Sequence, residues 1–343
     1  MRHDRRTFLK STGLAGAAAV VAAGGAATIE PVQAQQPPAS GQPPPMARGM
    51  TFATIRTASG LGLGVRTSQG ILDVRAAAVR FKSLAPTTIG DLLAGRGDVA
   101  GLAALLQRAQ AASDAASFFI AEDKAQFGPC VTAPEKILCV GLNYRRHAAE
   151  TGNAVPKQPI LFNKFNSALN HHGGTIAVTK EDAKNFDYEA ELVIVIGREA
   201  RNVAEADAGN YIFGYCTGND FTARELQARS SQWMLGKALD GSGPIGPWLV
   251  TSDLVDGDKL KIECRVNGEM RQSSNTSDLV FGCKALVSYA SKYFTLKPGD
   301  LIFTGTPEGV ISGYPKEKQV WLKAGDTITT SIEKLGDLVF KLT

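Results

Sequence analysis

The chain has 343 residues, of which 44% are hydrophobic and 20% are charged, and its formal net charge is only +4. This length and apolar fraction are sufficient for one large domain or two smaller ones with a substantial buried core. A small net charge, without a basic stripe of interleaved aromatic residues, argues against nucleic-acid binding.

The first predicted element, residues 1–34, has the pattern of an export signal. Arg5 and Arg6 precede a mildly apolar, Ala/Gly-rich stretch (STGLAGAAAVVAAGGAAT), and residues 32–34 (VQA) are small enough for a signal peptidase. A membrane anchor is the alternative, but the stretch is rich in glycine and short of strongly apolar residues. We therefore expect a twin-arginine signal peptide, a periplasmic protein, and no stable membrane span once the signal is removed.

The remaining chain divides into a linker and two predicted domains. Residues 35–49 are rich in Pro, Gln and Gly and are predicted to be disordered. Residues 50–130 predict a small α/β domain with three short strands (MTFATIRT, GLGLGVRT, GILDVRA) and two helices (TIGDLLAG, VAGLAALLQRAQAAS). Residues 131–343 are dominated by strands, with helices near 143–151, at ELQARSS and at KALVSYASKYF, and a turn after EADA. Because strands and helices do not alternate regularly, we expect a strand-rich α+β fold rather than a doubly wound parallel sheet.

The five cysteines show no CxxC pair and no regular spacing. Cys139, Cys216 and Cys264 fall within apolar, strand-like runs. Small core residues are therefore expected here, rather than disulfides or metal ligands.

The stretch FDYEAELVIVIG places two acidic residues at the start of an apolar strand. Side chains two positions apart in a strand share a face, so Glu189 and Glu191 should lie on the face of Val193 and Val195. An exposed strand often carries such a pair, but here the same face continues as valine. Two partly buried carboxylates repel each other unless a cation neutralises them or one is protonated. A divalent cation with oxygen ligands resolves this repulsion most simply.

A third acidic ligand is predicted at Asp220, which follows the next apolar strand in YCTGNDFTARELQ. The helix-like turn after it carries Arg224 and Gln227. Since only one histidine is a candidate functional residue and no cysteine pair is present, an all-oxygen Mg²⁺ or Mn²⁺ site is favoured over a zinc site.

That histidine is His147, in GLNYRRHAAETGN. On a short helix His147 and Glu150 are spaced i, i+3 and face one another. A neighbouring carboxylate raises the basicity of an imidazole and fixes its orientation, which a general base requires. From spacing alone, an exposed helix with a local ion pair is the alternative.

Two loops carry further candidates. WMLGKALDGSGPIGPW places Lys237 among glycines and prolines, where a loop can hold it against a ligand or leave it in solvent. PGDLIFTGTPEGV ends a strand in a turn whose Thr306 hydroxyl and backbone N–H groups can bind a carboxylate. A simple tight turn at the rim of a sheet is the alternative for the second loop.

Five of these stretches, taken in order, carry a resemblance to a known family. GLNYRRHAAE, DYEAELVIVIG, GNDFTARELQ, LGKALDGSGPIGPWLV and PGDLIFTGTPEGV resemble motifs of the fumarylacetoacetate hydrolase family, within the branch of bacterial 2-hydroxyhepta-2,4-diene-1,7-dioate isomerases and acylpyruvate hydrolase-like proteins. The resemblance covers roughly residues 50–343. It implies a mixed β-sandwich roll preceded by a small N-terminal α/β module, and a homodimer.

The resemblance also implies roles for individual residues. The implied ligands of Mg²⁺ or Mn²⁺ are Glu189, Glu191 and Asp220. The implied catalytic residues are His147, Glu150 and Lys237, the first two forming a dyad on a lid that activates water. The implied substrate-binding residues are Lys164, Arg224, Gln227 and Thr306. Relatives often carry larger side chains where ALDGSGPIGP follows the lysine, so the resemblance does not predict the shape of the substrate pocket.

The expected activity is a metal-dependent hydrolysis of a C–C bond in an acylpyruvate or related diketo acid, through an enolate and a water activated by His147 and Glu150. Isomerisation or decarboxylation of a 2-hydroxy-dienedioate or oxo acid passes through the same enolate and is the first alternative. A non-catalytic periplasmic protein that binds carboxylates is the second. In each case the expected partner is a small oxo or diketo acid.

Overall fold

The structure is a computed structural model that describes residues 46–178 and 183–343. The predicted signal at residues 1–34 lies outside the described residues, as does the predicted linker except for residues 46–49. The described residues belong to a single compact unit.

The elements are numbered in chain order. The described strands are β1 (Thr51–Thr57), β2 (Gly60–Thr67), β3 (Gly70–Asp73), β4 (Phe119–Ile120), β5 (Ile137–Gly141), β6 (Ile160–Lys164), β7 (Leu169–His171), β8 (Thr175–Ile176), β9 (Phe186–Asp187), β10 (Ala190–Ile196), β11 (Ile212–Asn219), β12 (Thr222–Ala223), β13 (Gly243–Ile245), β14 (Leu249–Thr251), β15 (Lys261–Val266), β16 (Glu269–Asn275), β17 (Leu301–Phe303), β18 (Thr327–Ile332) and β19 (Gly336–Leu342). The described α-helices are α1 (Val74–Phe81), α2 (Ile89–Leu93), α3 (Leu102–Ala111), α4 (Arg145–Glu150), α5 (Arg224–Gln227), α6 (Met234–Lys237) and α7 (Cys283–Tyr293).

The described strands form mixed sheets. The main sheet has twelve strands in the order β4-β3-β2-β1-β14-β11-β10-β17-β5-β6, with β13 and β7 attached beside β11. A second sheet has the order β16-β15-β18-β19-β8, and β9 pairs with β12 in a separate ribbon. Most pairs are antiparallel, whereas β17 and β5 run parallel. The predicted strand-rich α+β class is therefore confirmed, while the boundary near residue 130 stays a prediction because β1 pairs directly with β14.

Strand β10 lies at the centre of the main sheet and is buried along its whole length. Val193 and Val195 pack in one apolar cluster with the N-terminal strands and helices, and Leu192 and Ile194 pack in the other cluster with the second sheet. The predicted division of faces is confirmed. Each fully buried aliphatic side chain stabilises the fold by roughly 1.5–3 kcal/mol, so this strand can remain buried although two carboxylates lie at its N-terminal end.

The N-terminal region departs from the sequence prediction at one helix. The stretch GILDVRA is predicted as a strand, but the strand ends at Asp73 and helix α1 begins at Val74. The Asp73 side chain accepts a hydrogen bond from the Ala76 amide and so caps the helix. An N-cap aspartate after a short apolar run thus converts what looks like one continuous strand into a strand followed by a helix.

The other predicted helices are present. Helix α2 begins after Thr88, whose side chain accepts from the Asp91 amide, as expected for an N-cap. The segments predicted near 143–151, at ELQARSS and at KALVSYASKYF correspond to α4, α5 and α7. Where a turn was predicted after EADA, a 3-10 helix, Glu205–Tyr211, includes EADA itself.

The five cysteines are all buried and free, so the prediction of core residues without disulfides is confirmed. Among the described helices, none has the length and apolar character needed to cross a bilayer.

Candidate metal centre

Three carboxylates meet where β10 begins and β11 ends. Ala190 pairs with Asn219 across the two antiparallel strands, which places Asp220 beside Glu189. The Asp220 amide donates to the Glu189 carbonyl at 2.9 Å. Glu189, Glu191 and Asp220 are 5%, 1% and 0% exposed, and one oxygen of each lies within 4.8 Å of the others. The structure therefore brings the three predicted ligands together in a buried cluster.

The donor set of this cluster fits a hard divalent cation. Both Asp220 oxygens are buried without a hydrogen-bond donor, although they lie 2.6 Å from the Lys164 ammonium and 3.0 Å from the Lys237 ammonium. Asp220 is therefore held by charge contacts rather than hydrogen bonds, and each of its oxygens still has a lone pair that a metal ion can share. Carboxylate oxygens are the ligands preferred by Mg²⁺ and Mn²⁺, and both ions fit.

The charge on Glu191 is poorly compensated by protein groups. One of its oxygens accepts the Gly305 amide hydrogen at 2.7 Å. Burial, together with the negative charges of Asp220 and Glu189, raises the pKa of Glu191 well above its ordinary value. A bound dication would remove this repulsion, which is the second reason why the cluster fits a metal.

Cationic side chains surround Glu189. The Lys237 ammonium donates to its Oε2 at 2.7 Å, and the Arg224 guanidinium lies 2.7 Å from its Oε1. Burial opposes ionisation of Glu189, but the charges of Lys237 and Arg224 outweigh burial and lower its pKa. For Lys237, burial is likewise outweighed by the charges of Asp220 and Glu189, which raise the lysine pKa. Glu189 is therefore an anion and Lys237 a cation at neutral pH.

Lys164 lies behind Lys237 rather than at the surface of the site. It ends strand β6 and is buried. Its ammonium contacts the main-chain oxygen of Lys237 as well as Asp220. The structure therefore assigns to Lys164 a place that supports Lys237 and Asp220.

A cavity of about 200 Å³ opens beside this cluster. Its charged and polar lining comprises His147, Thr151, Asn153, Glu189, Arg224, Gln227, Lys237, Thr306 and Ser312. Its apolar lining comprises Val140, Gly141, Leu142, Phe162 and Trp233. The cavity thus collects a predicted metal ligand, the predicted dyad histidine and three of the four predicted substrate-binding residues.

Helix α4 carries the dyad. His147 Nδ1 lies 2.8 Å from Glu150 Oε1, and the other Glu150 oxygen accepts the Gly309 amide hydrogen at 2.9 Å. Because an ionised carboxylate only accepts hydrogen bonds, this contact places the proton on Nδ1 and leaves Nε2 as a base. The helix is held by Arg145, which donates to the Leu279 carbonyl at 2.6 Å.

The two remaining predicted binding residues are already fixed by protein contacts. Thr306 Oγ1 accepts from Gln272 at 2.9 Å, so its own O–H can donate into the cavity. Gln227 Oε1 accepts from the Arg224 Nη1 group at 3.0 Å, so its NH₂ group is left to donate.

Sequence reasoning missed three residues of the site. Trp233 and Phe162 form an apolar wall with their rings edge-to-face at 5.4 Å, and a Cβ on Gly141 would lie 2.3 Å from the Trp233 ring. Asp187, which is fully buried, contacts Arg224. The period-2 alternation of FDYEAE places Asp187 on the face of Glu189 and was an available signal, whereas nothing local indicates that the two aromatic rings meet.

Comparisons with known proteins identify the family of the chain. Residues 136–343 match the family described as fumarylacetoacetate (FAA) hydrolase C-terminal. The chain belongs to this family. The matched segment contains all ten predicted site residues, and the predicted family and fold are confirmed.

Relatives and solved structures give two kinds of activity. An oxaloacetate tautomerase from Xenopus laevis is 42% identical over 234 residues, covering 67% of this chain and 72% of that protein. A putative HpcE protein from Mycobacterium smegmatis has a TM-score of 0.71 at 32% identity, covering 86% of this chain and 99% of the other. Fumarylpyruvate hydrolase from Pseudomonas aeruginosa, solved with Mn²⁺ and pyruvate, has a TM-score of 0.56 at 34% identity, covering 64% and 91%. Proteins of this family are therefore enzymes, and those similar to this chain include a tautomerase and a hydrolase.

The prediction of a periplasmic protein exported by the twin-arginine route is wrong. The oxaloacetate tautomerases from Xenopus laevis and Rattus norvegicus to which the chain is similar are mitochondrial. The prediction rested on residues 1–34, which lie outside the described residues. An arginine pair before an Ala/Gly-rich stretch is a short compositional pattern, so it is a weak predictor of the destination of a protein.

Proposed function

We propose that the protein is a divalent-metal-dependent enzyme that interconverts the keto and enol forms of a small 2-oxo dicarboxylic acid such as oxaloacetate. The observation that carries the proposal is the grouping, around one cavity, of the acidic cluster, two cationic side chains and a histidine base. The similarity to the oxaloacetate tautomerase from Xenopus laevis supports it. A homodimer stays a prediction.

The cavity suits an anionic substrate. Arg224 and Lys237 both line it and both are held as cations. Burial alone would lower the pKa of Arg224, but the charges of Asp187 and Glu189 raise it above its ordinary value. Two fixed cations in a buried site bind carboxylates more strongly than exposed ones would, because solvent screens them less.

Glu189, Glu191 and Asp220 are the residues that would hold Mg²⁺ or Mn²⁺. When bound, such an ion supplies positive charge that stabilises the enolate of the substrate. The complex of the Pseudomonas aeruginosa hydrolase with Mn²⁺ and pyruvate supports the choice of a divalent ion.

In the proposed reaction His147 transfers the proton and Lys237 stabilises the negative charge that develops on the substrate oxygen. His147 Nε2 removes a proton from the carbon next to the keto group, and the C–H electron pair forms the C=C bond while the carbonyl π pair moves to oxygen. Glu150 accepts the Nδ1–H hydrogen bond and stabilises the imidazolium that results. The Lys237 ammonium donates to the developing oxyanion. Return of the proton from His147 to that oxygen completes the enol, with no net gain or loss of atoms.

The test is a direct assay of tautomerisation. Oxaloacetate supplied in its enol form should lose its enol absorbance at least about tenfold faster with the Mn²⁺-loaded protein than with Mn²⁺ alone, as expected for general acid–base catalysis. Heat-unfolded protein with the same metal serves as the control. A rate equal to that of the control would overturn the proposal.

Hydrolysis of an acylpyruvate is the second candidate function. The specific observation in its favour is the His147–Glu150 dyad at the cavity, which can activate a water as well as remove a carbon-bound proton. The similarity to fumarylpyruvate hydrolase from Pseudomonas aeruginosa supports it. Acetylpyruvate incubated with the Mn²⁺-loaded protein would then yield equal amounts of pyruvate and acetate.

The aromatic wall should limit the length of the substrate. Trp233→Ala removes one ring of the Phe162–Trp233 pair and enlarges the cavity. We expect the ratio of kcat/KM for a longer acylpyruvate to that for oxaloacetate to rise about tenfold, the usual size of a pocket-volume effect. Trp321→Ala, at a partly buried tryptophan outside this lining, is the matched control and should leave the ratio unchanged. An unchanged ratio in Trp233→Ala would show that the wall does not contact the substrate.

A further inference from the structure

Asp187 is a fully buried carboxylate that the proposed chemistry does not use. It ends strand β9, where it pairs with Thr222 of β12. Its Oδ1 accepts the Ile311 amide hydrogen at 2.9 Å, and its Oδ2 accepts the Ser312 amide hydrogen at 3.0 Å. Two backbone donors from one loop therefore fix the plane of this carboxylate.

The fixed carboxylate holds Arg224. The Nε group of Arg224 donates to Asp187 Oδ2 at 2.8 Å, and its Nη2 lies 2.8 Å from the same oxygen. The register of β9 and β12 creates this contact, because Thr222 opposite Asp187 is two residues before Arg224. One edge of the guanidinium is thus held by Asp187.

The other terminal nitrogen of the guanidinium, Nη1, contacts residues of the site. Nη1 lies 2.7 Å from Glu189 Oε1 and 3.0 Å from Gln227 Oε1, and Arg224 lines the cavity. A guanidinium that is not held on its Nε edge can rotate and present two N–H groups to Glu189 instead of one. It would then turn away from an anion in the cavity.

We propose that Asp187 is a positioning residue that holds the Arg224 guanidinium in the orientation that binds a substrate carboxylate. The inference rests on the anion-binding role given to Arg224 in the proposed function. It does not rest on turnover, because binding of a non-reacting dicarboxylate depends on the same orientation.

A purely structural role is the competing explanation, and Asp300 provides a matched control. Asp300 is also fully buried. It accepts amide hydrogens from Lys136 and Lys297, both at 2.8 Å, and lies 3.1 Å from the Lys136 ammonium. It precedes β17, whose Leu301 pairs with Val195 at the far end of β10 from the acidic cluster. Asp300→Asn therefore removes a similar charge from a similar environment away from the cavity.

The experiment measures oxalate binding by calorimetry to the full chain loaded with Mn²⁺, together with the unfolding temperature of each variant. Asp187→Asn should weaken oxalate binding about tenfold, the size expected for one misaligned charge-assisted contact. Asp300→Asn should change it less than twofold, although both variants unfold at lower temperature. In an Arg224→Ala background, Asp187→Asn should cause no further weakening, because residues that act through one group are not additive.

Several outcomes would overturn the inference. These are equal oxalate affinities in Asp187→Asn and Asp300→Asn, a full additional loss in the Arg224→Ala background, or no oxalate binding by the wild-type protein. If Asp187→Asn does not fold, Asp187→Glu takes its place with Asp300→Glu as control. The longer carboxylate should shift the guanidinium and weaken oxalate binding in the first variant only. Normal oxalate results without tautomerisation of oxaloacetate would reject the proposed function and leave this inference standing.

Discussion

Glu191→Gln is expected to abolish tight metal binding while leaving the metal-free protein at least as stable as the wild type. Both effects arise from the burial of Glu191 beside two other carboxylates, which favours a bound cation and costs stability when no cation is bound. Glu191 lies in the buried acidic cluster, and burial together with Asp220 and Glu189 raises its pKa well above the ordinary value. An acid whose pKa is higher in the folded than in the unfolded state lowers the stability of the fold once the pH exceeds the unfolded-state pKa, because the acid then ionises more favourably in the unfolded chain. At neutral pH, a glutamine, which cannot ionise in either state, therefore removes this cost from the metal-free protein.

Glutamine is the appropriate replacement because its amide oxygen can still accept the Gly305 amide hydrogen that Glu191 accepts at 2.7 Å. A change in stability then reports the charge rather than a lost hydrogen bond. Metal affinity should fall about a hundredfold or more, since even the loss of an outer partner of a metal ligand costs roughly 10- to 100-fold.

The measurement is thermal unfolding with a chelator and then with excess Mn²⁺. At a concentration of one hundred times Kd, a ligand that binds only the folded state stabilises it by about 2.7 kcal/mol. The wild-type protein should show a gain of this size, and at the same Mn²⁺ concentration Glu191→Gln should gain about 0.4 kcal/mol or less. Asp300 is a fully buried carboxylate outside the cluster. The Asp300→Asn variant should unfold at lower temperature in both conditions but keep the Mn²⁺-dependent gain in stability. A Mn²⁺-dependent gain in Glu191→Gln equal to that of the wild type would remove Glu191 from the ligand set.

The acidic cluster was the part of the site most accessible from sequence. Strand alternation alone places Glu189 and Glu191 on the valine face of β10, and the apolar character of that face predicts their burial. Asp220 could be added because it ends the next strand, and hairpin neighbours of a central strand bring such ends together. The structure confirms this placement through the pairing of Ala190 with Asn219.

Contacts between distant segments could not be predicted in the same way. The ion pair of Asp187 with Arg224 depends on a two-residue ribbon, β9 with β12, that is too short to give a periodic signal. The contact of Lys164 with Asp220 joins the edge strand β6 to the end of β11 and required the order of strands in the sheet. In both cases the residue type was visible in the sequence but the partner was not.

Local rules also failed where a single residue decides between two structures. At Asp73 a short apolar run is followed by an alanine-rich segment, and the four residues of GILD are too few to show whether the pattern has the period of a strand or of a helix. The N-cap hydrogen bond of Asp73 decides the outcome. The family resemblance contributed the overall fold, which strand composition alone did not specify.

His147→Gln is expected to lower kcat for tautomerisation by about 10²- to 10⁴-fold, the usual contribution of a general base. The reason is that glutamine fills similar space but cannot accept and return a proton. His147 is not one of the three carboxylates that would hold the metal ion, and Arg224 is held by Asp187 and Gln227, so Mn²⁺-dependent stabilisation and oxalate affinity should stay close to wild-type values. A loss of kcat without a loss of binding identifies a group that acts on the proton rather than on the ligand.

Glu150→Gln separates orientation of the base from its chemistry. Glu150 contacts His147 Nδ1 at 2.8 Å and acts through the imidazole, so the single variant should lose less activity than His147→Gln. The double variant should be no worse than His147→Gln alone, because no base remains to be oriented. His171→Gln, at a histidine outside the cavity lining, is the control and should keep full activity. Exchange of the C3 hydrogens of pyruvate with deuterated solvent gives an independent readout, and wild-type exchange rates in His147→Gln would place the base elsewhere.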